Sequence, residues 1–202
     1  SFCVAGLTGA WNIPADQVQV LHCAIDPGRF AATDRPARRD SARQRWGVSP
    51  DNTVALFVAM NYRLKGLDPL LGAIARLPRR ESFKLVVIGH PRTSRYQKLA
   101  ASLGVSDRVV FSGFHADPRD AYFAADFLVH PTFYDPCSLV VLEALACGLP
   151  VVTTRFNGAS ELFTSGKEGF VIDDPHNHRA LGTAINQLLD GPTRSACASA
   201  AR

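Results

Sequence analysis

A single carboxylate, Glu143, stands inside an apolar stretch. Residues 139–147 read Leu-Val-Val-Leu-Glu-Ala-Leu-Ala-Cys, with no other polar side chain among them. A helix that is apolar all round is expected to be buried. An acid inside it costs on the order of a few kcal/mol unless hydrogen-bond donors meet it. Glu143 therefore reads as an acceptor for a vicinal diol such as ribose, or as a buried acid paired with an arginine or with backbone amides. A second acid, Asp135, lies eight residues earlier at the loop-to-helix junction. Asp-Pro is a common helix start, with Asp as the cap and Pro in the first turn; the other reading of Asp135 is a sugar contact. Were 135–143 helical throughout, the two acids would lie roughly 12 Å apart, about the span from a ribose across a diphosphate to a hexose. Ser138 is placed to cap the helix, leaving N–H groups free for a phosphate or sugar oxygen. Together these residues suit a nucleotide-sugar site.

Cations stand where such a site needs them. In Asn61-Tyr62-Arg63-Leu64-Lys65-Gly66, two cations sit two residues apart and a Gly opens the next helix. Helix-start amides with Lys or Arg bind anions, and a diphosphate is the natural guest; ordinary surface charges are the alternative. Gly89-His90 and Phe114-His115 follow strand ends and could line a base pocket through main-chain amides and Phe stacking. Neither Gly-x-Gly-x-x-Gly nor a Walker motif occurs, and no His, Cys or Asp cluster has metal-ligand spacing.

The elements that must position these residues alternate from residue 53 onward. Strands are expected at 53–60, 83–88, 109–112, 127–130, 151–154 and 169–172. Helices are expected at 66–77, 94–103, 118–125, 139–147 and 177–189, with a helical turn at 160–164. The strands are continuous apolar runs, which means burial on both faces and a parallel sheet between helix layers. The fold class is α/β, a Rossmann-like three-layer sandwich. Ligands in such sheets bind beyond the carboxyl ends of the strands, which selects the loops after residues 60, 88, 112 and 130. Residues 1–15 read as a linker or remnant, 16–190 as the ligand-binding domain, and 191–202 as a flexible tail of small residues. Residues 18–21 read as an edge strand and 40–46 as a short helix.

Composition sets wide bounds. The 202 residues are 47% hydrophobic and 20% charged, with net charge +4, which fits one domain with a full core. The densest basic patch, 35–45, contains Arg38, Arg39 and Arg43; a solvated helix face is the simplest reading, and an anionic membrane surface the alternative. Nucleic acid is not indicated, because no aromatics interleave with the charges. Five cysteines without a CxxC favour reduced thiols and a cytosolic setting. No run approaches the roughly 20 apolar residues needed to span a bilayer.

The motifs, taken in order, resemble the retaining family 4 (group 1) glycosyltransferases. His130-Pro131, then Asp135-x7-Glu143-Ala-Leu-Ala-Cys-Gly148-Leu-Pro and Asn157-Gly158-Ala-Ser-Glu161 are similar to their E-x7-E segment. Arg63-Leu64-Lys65-Gly66 is similar to their basic diphosphate motif, and the stretch from Val18 to Phe30 to the linker entering their C-terminal domain. The spacing is most like enzymes that glucosylate the lipopolysaccharide core. The resemblance implies the donor-binding half of a two-domain GT-B enzyme, metal-independent and without a cofactor, retaining anomeric configuration. It also implies a separate N-terminal acceptor domain and peripheral membrane contact of the full enzyme. By position, Arg63 and Lys65 would hold the diphosphate and stabilise the leaving group. Glu143 would bind the ribose, Asp135 a hydroxyl of the donor sugar. Amides of Cys137, Ser138, Leu139 and Val140 would reach sugar and phosphate, with Asn61, Gly89 and Phe114 lining the remainder. Two departures are visible: Asp135 stands where Glu is usual, and Ser138 where Gly is usual. Other readings are a different GT-B enzyme, such as a nucleotide-sugar epimerase or a phosphorylase, and a non-catalytic flavodoxin-like interaction module.

Overall fold

A computed structural model describes residues 8–21, 23–30, 35–78 and 82–201. Six strands, β1 (Thr53–Ala59), β2 (Phe83–Gly89), β3 (Val109–Gly113), β4 (Phe127–His130), β5 (Val151–Thr154) and β6 (Gly169–Ile172), form one sheet. Their order is β3-β2-β1-β4-β5-β6, and every neighbouring pair is parallel. The helices are α1 (Arg35–Arg45), α2 (Leu67–Arg76), α3 (Ser94–Ser102), α4 (Arg119–Ala124), α5 (Leu139–Ala146), α6 (His178–Leu189) and α7 (Gly191–Ala200).

Side chains alternate across a strand, so each apolar run feeds two cores. In β1, Ala55 and Phe57 join the core under α2, α3 and α6, whereas Val54 and Leu56 join the core under α1, α4 and α5. Both faces are covered, which is why the strands read as unbroken apolar runs. The order reverses between β1 and β4, and that crevice is the expected ligand position in a sheet of this kind.

Four expectations from the sequence are corrected. Residues 18–21 form no strand, and Val20 and Leu21 are exposed. The tail is not loose coil: Gly191–Ala200 is helical. Asp190 caps it, accepting from Thr193 N at 3.0 Å and Thr193 Oγ1 at 2.7 Å, and Cys197 is buried in the core. Alanine, abundant there, is the best helix former. The helix at the motif, α5, is only partly covered. Val141 and Ala144 are buried, yet Leu139 is 48% exposed and Leu142 and Leu145 are half-buried.

Arg38, Arg39 and Arg43 of α1 are the fourth correction, because they face the protein rather than water. Arg39 Nη1 donates to the carbonyls of Phe123, Ala124 and Ala125 at 3.1, 3.1 and 3.0 Å. Those are orphan acceptors at the end of α4, which otherwise would lack partners. Arg43, 3% exposed, donates to Ala124 O at 2.9 Å and meets Asp126 Oδ2 at 2.8 Å. The same Asp126 oxygen accepts from Val54 N at 2.7 Å, tying α1 to the start of β1. Burial pulls the Arg43 pKa down and Asp126 opposes that pull. Without Arg43, Asp126 would keep Arg39 Nη2 on Oδ1 at 2.7 Å, but the carbonyls of Pro50 and Asn52 would lose a donor, at about 2 kcal/mol. Arg43→Ala should lower the unfolding free energy by about that amount in urea titration; a loss of a few tenths would mean that α1 is held by its apolar contacts alone.

Candidate functional site

Above the β1–β4 crevice, the loops leaving the two strands are stitched together. Phe133 N donates to Leu64 O at 3.0 Å, and Thr132 Oγ1 donates to the same carbonyl at 3.2 Å. Gly66 permits this approach. Its φ is +82°, and a Cβ there would lie 2.1 Å from Pro131 O, which no other residue could satisfy. Lys65, next to it, sends Nζ to Asp135 Oδ2 at 2.7 Å and to Tyr134 O at 3.3 Å. Two residues singled out on separate loops thus meet across the crevice.

Asp135 is not a helix cap. Its N–H donates to Phe156 O at 3.0 Å and its carbonyl accepts from Gly158 N at 2.9 Å, a bridge with the chain beyond β5. The helix begins only at Leu139 with Ser138 as N-cap, so the spacing derived for an all-helical stretch does not apply. Ser138 makes no side-chain cap bond; its Oγ lies 3.4 Å from His130 Nε2. The start of α5 is therefore not closed by that hydroxyl, and its first amides carry the positive end of the helix dipole.

Two buried residues that stood in the motif without an assigned role hold this arrangement. His130, at the end of β4, is 1% exposed and places Nε2 3.7 Å from Asp135 Oδ2. Burial pushes its pKa down against the pull of Asp135, so the ring is neutral at pH 7. For Asp135 burial pushes the carboxyl up, but the adjacent His130 ring and the hydrogen bond and charge of Lys65 outweigh it and hold the pKa at about 2. Asn157, fully buried, accepts from Ser138 N at 3.2 Å and Ala159 N at 3.1 Å, and donates to Thr153 Oγ1 at 3.1 Å. It joins β5 to the start of α5. The Asn157-Gly158 pair after a strand was the available signal, since Asn bonding to the backbone two residues on makes an Asx turn. Gly158 lies so close to the other loop that a Cβ would sit 1.9 Å from Pro136 O.

Glu143 is not fully buried, and among the described residues no arginine pairs with it. It is half-buried, and Oε2 accepts from Tyr122 Oη at 2.6 Å. Burial, then the Glu143 charge, pushes the Tyr122 pKa up, so the phenol remains a donor. Phe30, from the 3-10 turn Pro27–Phe30, packs edge-on to Tyr122 at 6.1 Å between ring centroids.

The remaining candidates stand at or just after the ends of β1, β2 and β3 and at the start of α5. Asn61 Oδ1 accepts from Leu64 N at 3.1 Å and shapes the basic loop. Arg63 is exposed and lines a cavity with Asn61, Leu64, Phe133 and His176, whereas the cation in contact with Asp135 is Lys65. Gly89 has φ +129°, and a Cβ there would lie 1.9 Å from Ala59 O. Phe114 is 64% exposed beside His115, whose Nε2 is 2.7 Å from Ser112 Oγ. Cys137 and Val140 are half-buried at the start of α5. Cys23, Cys137, Cys147 and Cys197 are free thiols; Cys3 lies outside the described residues. Among the described residues, no group of three or more His, Cys, Asp or Glu could hold a metal, and no helix is long and apolar enough to cross a membrane.

Residues 38–202 match the family model for glycosyl transferases group 1. The chain belongs to the group 1 glycosyltransferases. It is 32% identical over 202 residues to the lipopolysaccharide glucosyltransferase WaaG of Escherichia coli strain K12, covering 98% of this chain and 54% of that one. It is 35% identical over 187 residues to a D-inositol 3-phosphate glycosyltransferase of Rhodococcus opacus strain B4, covering 87% of this chain and 42% of the relative. The crystal structure of WaaG superposes with TM-score 0.84 at 29% identity, over 98% of this chain and 55% of that chain. Anabaena HepE in complex with UDP and glucose superposes with TM-score 0.79 at 26% identity, over 93% of this chain and 52% of that one. The chain thus spans about half the length of the relatives it matches. Membership of the group 1 family speaks for the transferase over the epimerase, the phosphorylase and the non-catalytic module.

The group 1 crevice has a pH signature. A carboxyl held below its unfolded value stabilises the fold above about pH 4 and loses that contribution as the pH falls toward 2. Between about pH 5 and pH 2 the wild-type chain should lose on the order of 2 kcal/mol more stability than Asp135→Asn. Urea unfolding at both pH values measures the difference; parallel losses would show that Lys65 and His130 do not hold Asp135.

Proposed function

We propose that this chain is the donor-binding half of a retaining glycosyltransferase that moves a hexose from a nucleotide-diphosphate sugar to a glycan or lipid-linked acceptor. The observation that carries the reading is the crevice where Lys65, Asp135 and the open start of α5 converge at the reversal of strand order. The diphosphate sits at the first amides of α5, near Cys137, Ser138, Leu139 and Val140. Lys65, joined by Arg63 when that exposed side chain swings in, neutralises the charge that grows on the leaving diphosphate. Asp135 turns from Lys65 to a hydroxyl of the donor sugar. Glu143, steadied by Tyr122 on one oxygen, takes the ribose hydroxyls on the other. The base rests among Gly89, Phe114 and the loop at Asn61. HepE, whose solved structures carry UDP and UDP-glucose, supports a uridine nucleotide as the first ligand to try.

The acceptor side belongs to an N-terminal domain in this reading. The half-covered apolar face of α5, with Leu139, Leu142 and Leu145, supports a second domain beside the crevice, since an uncovered apolar patch marks an interaction surface. The whole enzyme works on the cytoplasmic side, in peripheral contact with the membrane that holds its acceptor. No metal enters the mechanism, because Lys65, Arg63 and main-chain amides take the diphosphate charge.

Calorimetric titration with UDP, GDP and their sugars tests the proposal. The chain should bind at least one nucleoside diphosphate, unchanged by EDTA. Lys65→Ala should weaken that binding by about tenfold or more, as loss of one charge-assisted hydrogen bond implies, and leave free uridine or guanosine unaffected. Glu143→Ala should weaken nucleoside and nucleotide alike. Absence of binding to every nucleoside diphosphate would sink the reading.

A further inference from the structure

On the other face of the sheet, away from α5, a groove runs between α2, α3 and α6. Two cavities, about 430 and 410 Å³, share the walls Arg76 and His178. Arg63, Arg76 and Arg95 line the first, and Arg76 with Arg179 the second. Asp68 is the one carboxylate among these lining residues, and its Oδ1 is already held by Arg95 at 2.8 Å. Gly72 on α2 lines the first cavity. A Cβ there would lie 2.8 Å from His178 Cε1, so only the missing side chain lets the α6 imidazole settle against α2. Arg76 Nη1 donates to Gly72 O at 2.7 Å, which fixes the guanidinium at the shared wall. Apolar side chains, Leu99 and Leu103 of the α3 end, complete the first cavity. Four guanidiniums against one carboxylate make a cationic groove, which concentrates anions, and the planar guanidinium fork matches phosphate oxygens.

We propose that this groove is a second ligand site, which takes a phosphate group carried on an apolar body. The phosphate lies between Arg76 and Arg95, and the body packs on Leu99 and Leu103. The site adjoins the donor crevice, where Arg63, Phe133 and His176 line the cavities on both sides, but Arg76, Arg95, Leu99 and Leu103 border the groove and not the cavity at Asn61 and Leu64. The same chemistry is offered by the headgroup of an anionic lipid and by a soluble phosphoester.

The test compares the chain with Arg76→Ala/Arg95→Ala and with Arg95→Ala alone, whose side chain is 64% exposed and whose loss leaves the core intact. Hexyl phosphate and inorganic phosphate are titrated by NMR. Phosphatidylcholine vesicles with and without phosphatidylglycerol are used in co-sedimentation. Hexyl phosphate should bind more tightly than inorganic phosphate, and the double variant should weaken it by about tenfold or more. Lys65→Ala, which disables the donor crevice, should leave it unchanged, so the two sites fail independently. Sedimentation only with phosphatidylglycerol vesicles, lost in the arginine variants, assigns the lipid as the source; hexyl phosphate binding without sedimentation assigns a soluble phosphoester. Absence of saturable binding to any probe, equal binding by the arginine variants, or displacement of hexyl phosphate by UDP would overturn the proposal.

Discussion

The contact between Lys65 and Asp135 depends on the reversal of strand order at β1 and β4. There the loops leaving neighbouring strands turn to opposite faces of the sheet, from β1 to α2 and from β4 to α5, which leaves room between them. The two charges lie on loops that share one stitch, Phe133 N to Leu64 O. That stitch needs a glycine at position 66, because Pro131 O occupies the space of any side chain. The ion pair is half-enclosed, with side chains 20% and 13% exposed, so it is screened less than a surface pair and more than a core pair. A ligand anion can therefore displace Asp135 from Lys65 without leaving a charge stranded in a dry core.

Around that contact the protein supplies rigidity from two directions. Asn157 ties β5 to the start of α5, and His130 leans on Asp135 from beneath. On the far side, Phe30 packs on Tyr122 and Tyr122 holds one oxygen of Glu143. The arginines of α1 clamp the end of α4, the helix that carries Tyr122. The segment before the first strand is thereby coupled mechanically to the second acid of the motif. This coupling passes through packed rings and carbonyl bonds, the kind of contiguous contact that transmits position in a close-packed interior.

Much of this was legible in the chain. Three strands, β4, β5 and β6, end where the apolar runs end, because burial on both faces leaves no ambiguity of period. Lys65, Asp135 and Glu143 stood out because charge in apolar or glycine-bounded surroundings is costly without a purpose. What was not legible depends on long-range partners. An arginine-rich helix has the same pattern whether it faces water or the carbonyl end of another helix, so α1 read as solvated. Tyr122 gives no local sign that it will meet Glu143, and the Ala-Ser tail reads as loose until Asp190 and Cys197 are seen to pin α7. The open side of α5 was misread for a related reason: an all-apolar helix signals that something covers it, not that this chain does.

The Asn157-Gly158 bond carries a consequence for the chemical lifetime of the protein. Asparagine followed by glycine is prone to cyclise, its own side-chain carbonyl being attacked by the next backbone nitrogen, and then to open as aspartate or isoaspartate. In the fold that nitrogen donates to Asp135 O at 2.9 Å, and the Asn157 amide is engaged on both its oxygen and its nitrogen. Ageing at this position must therefore wait for the local structure to open, and each such event would convert a neutral hub into an acid beside the first amides of α5.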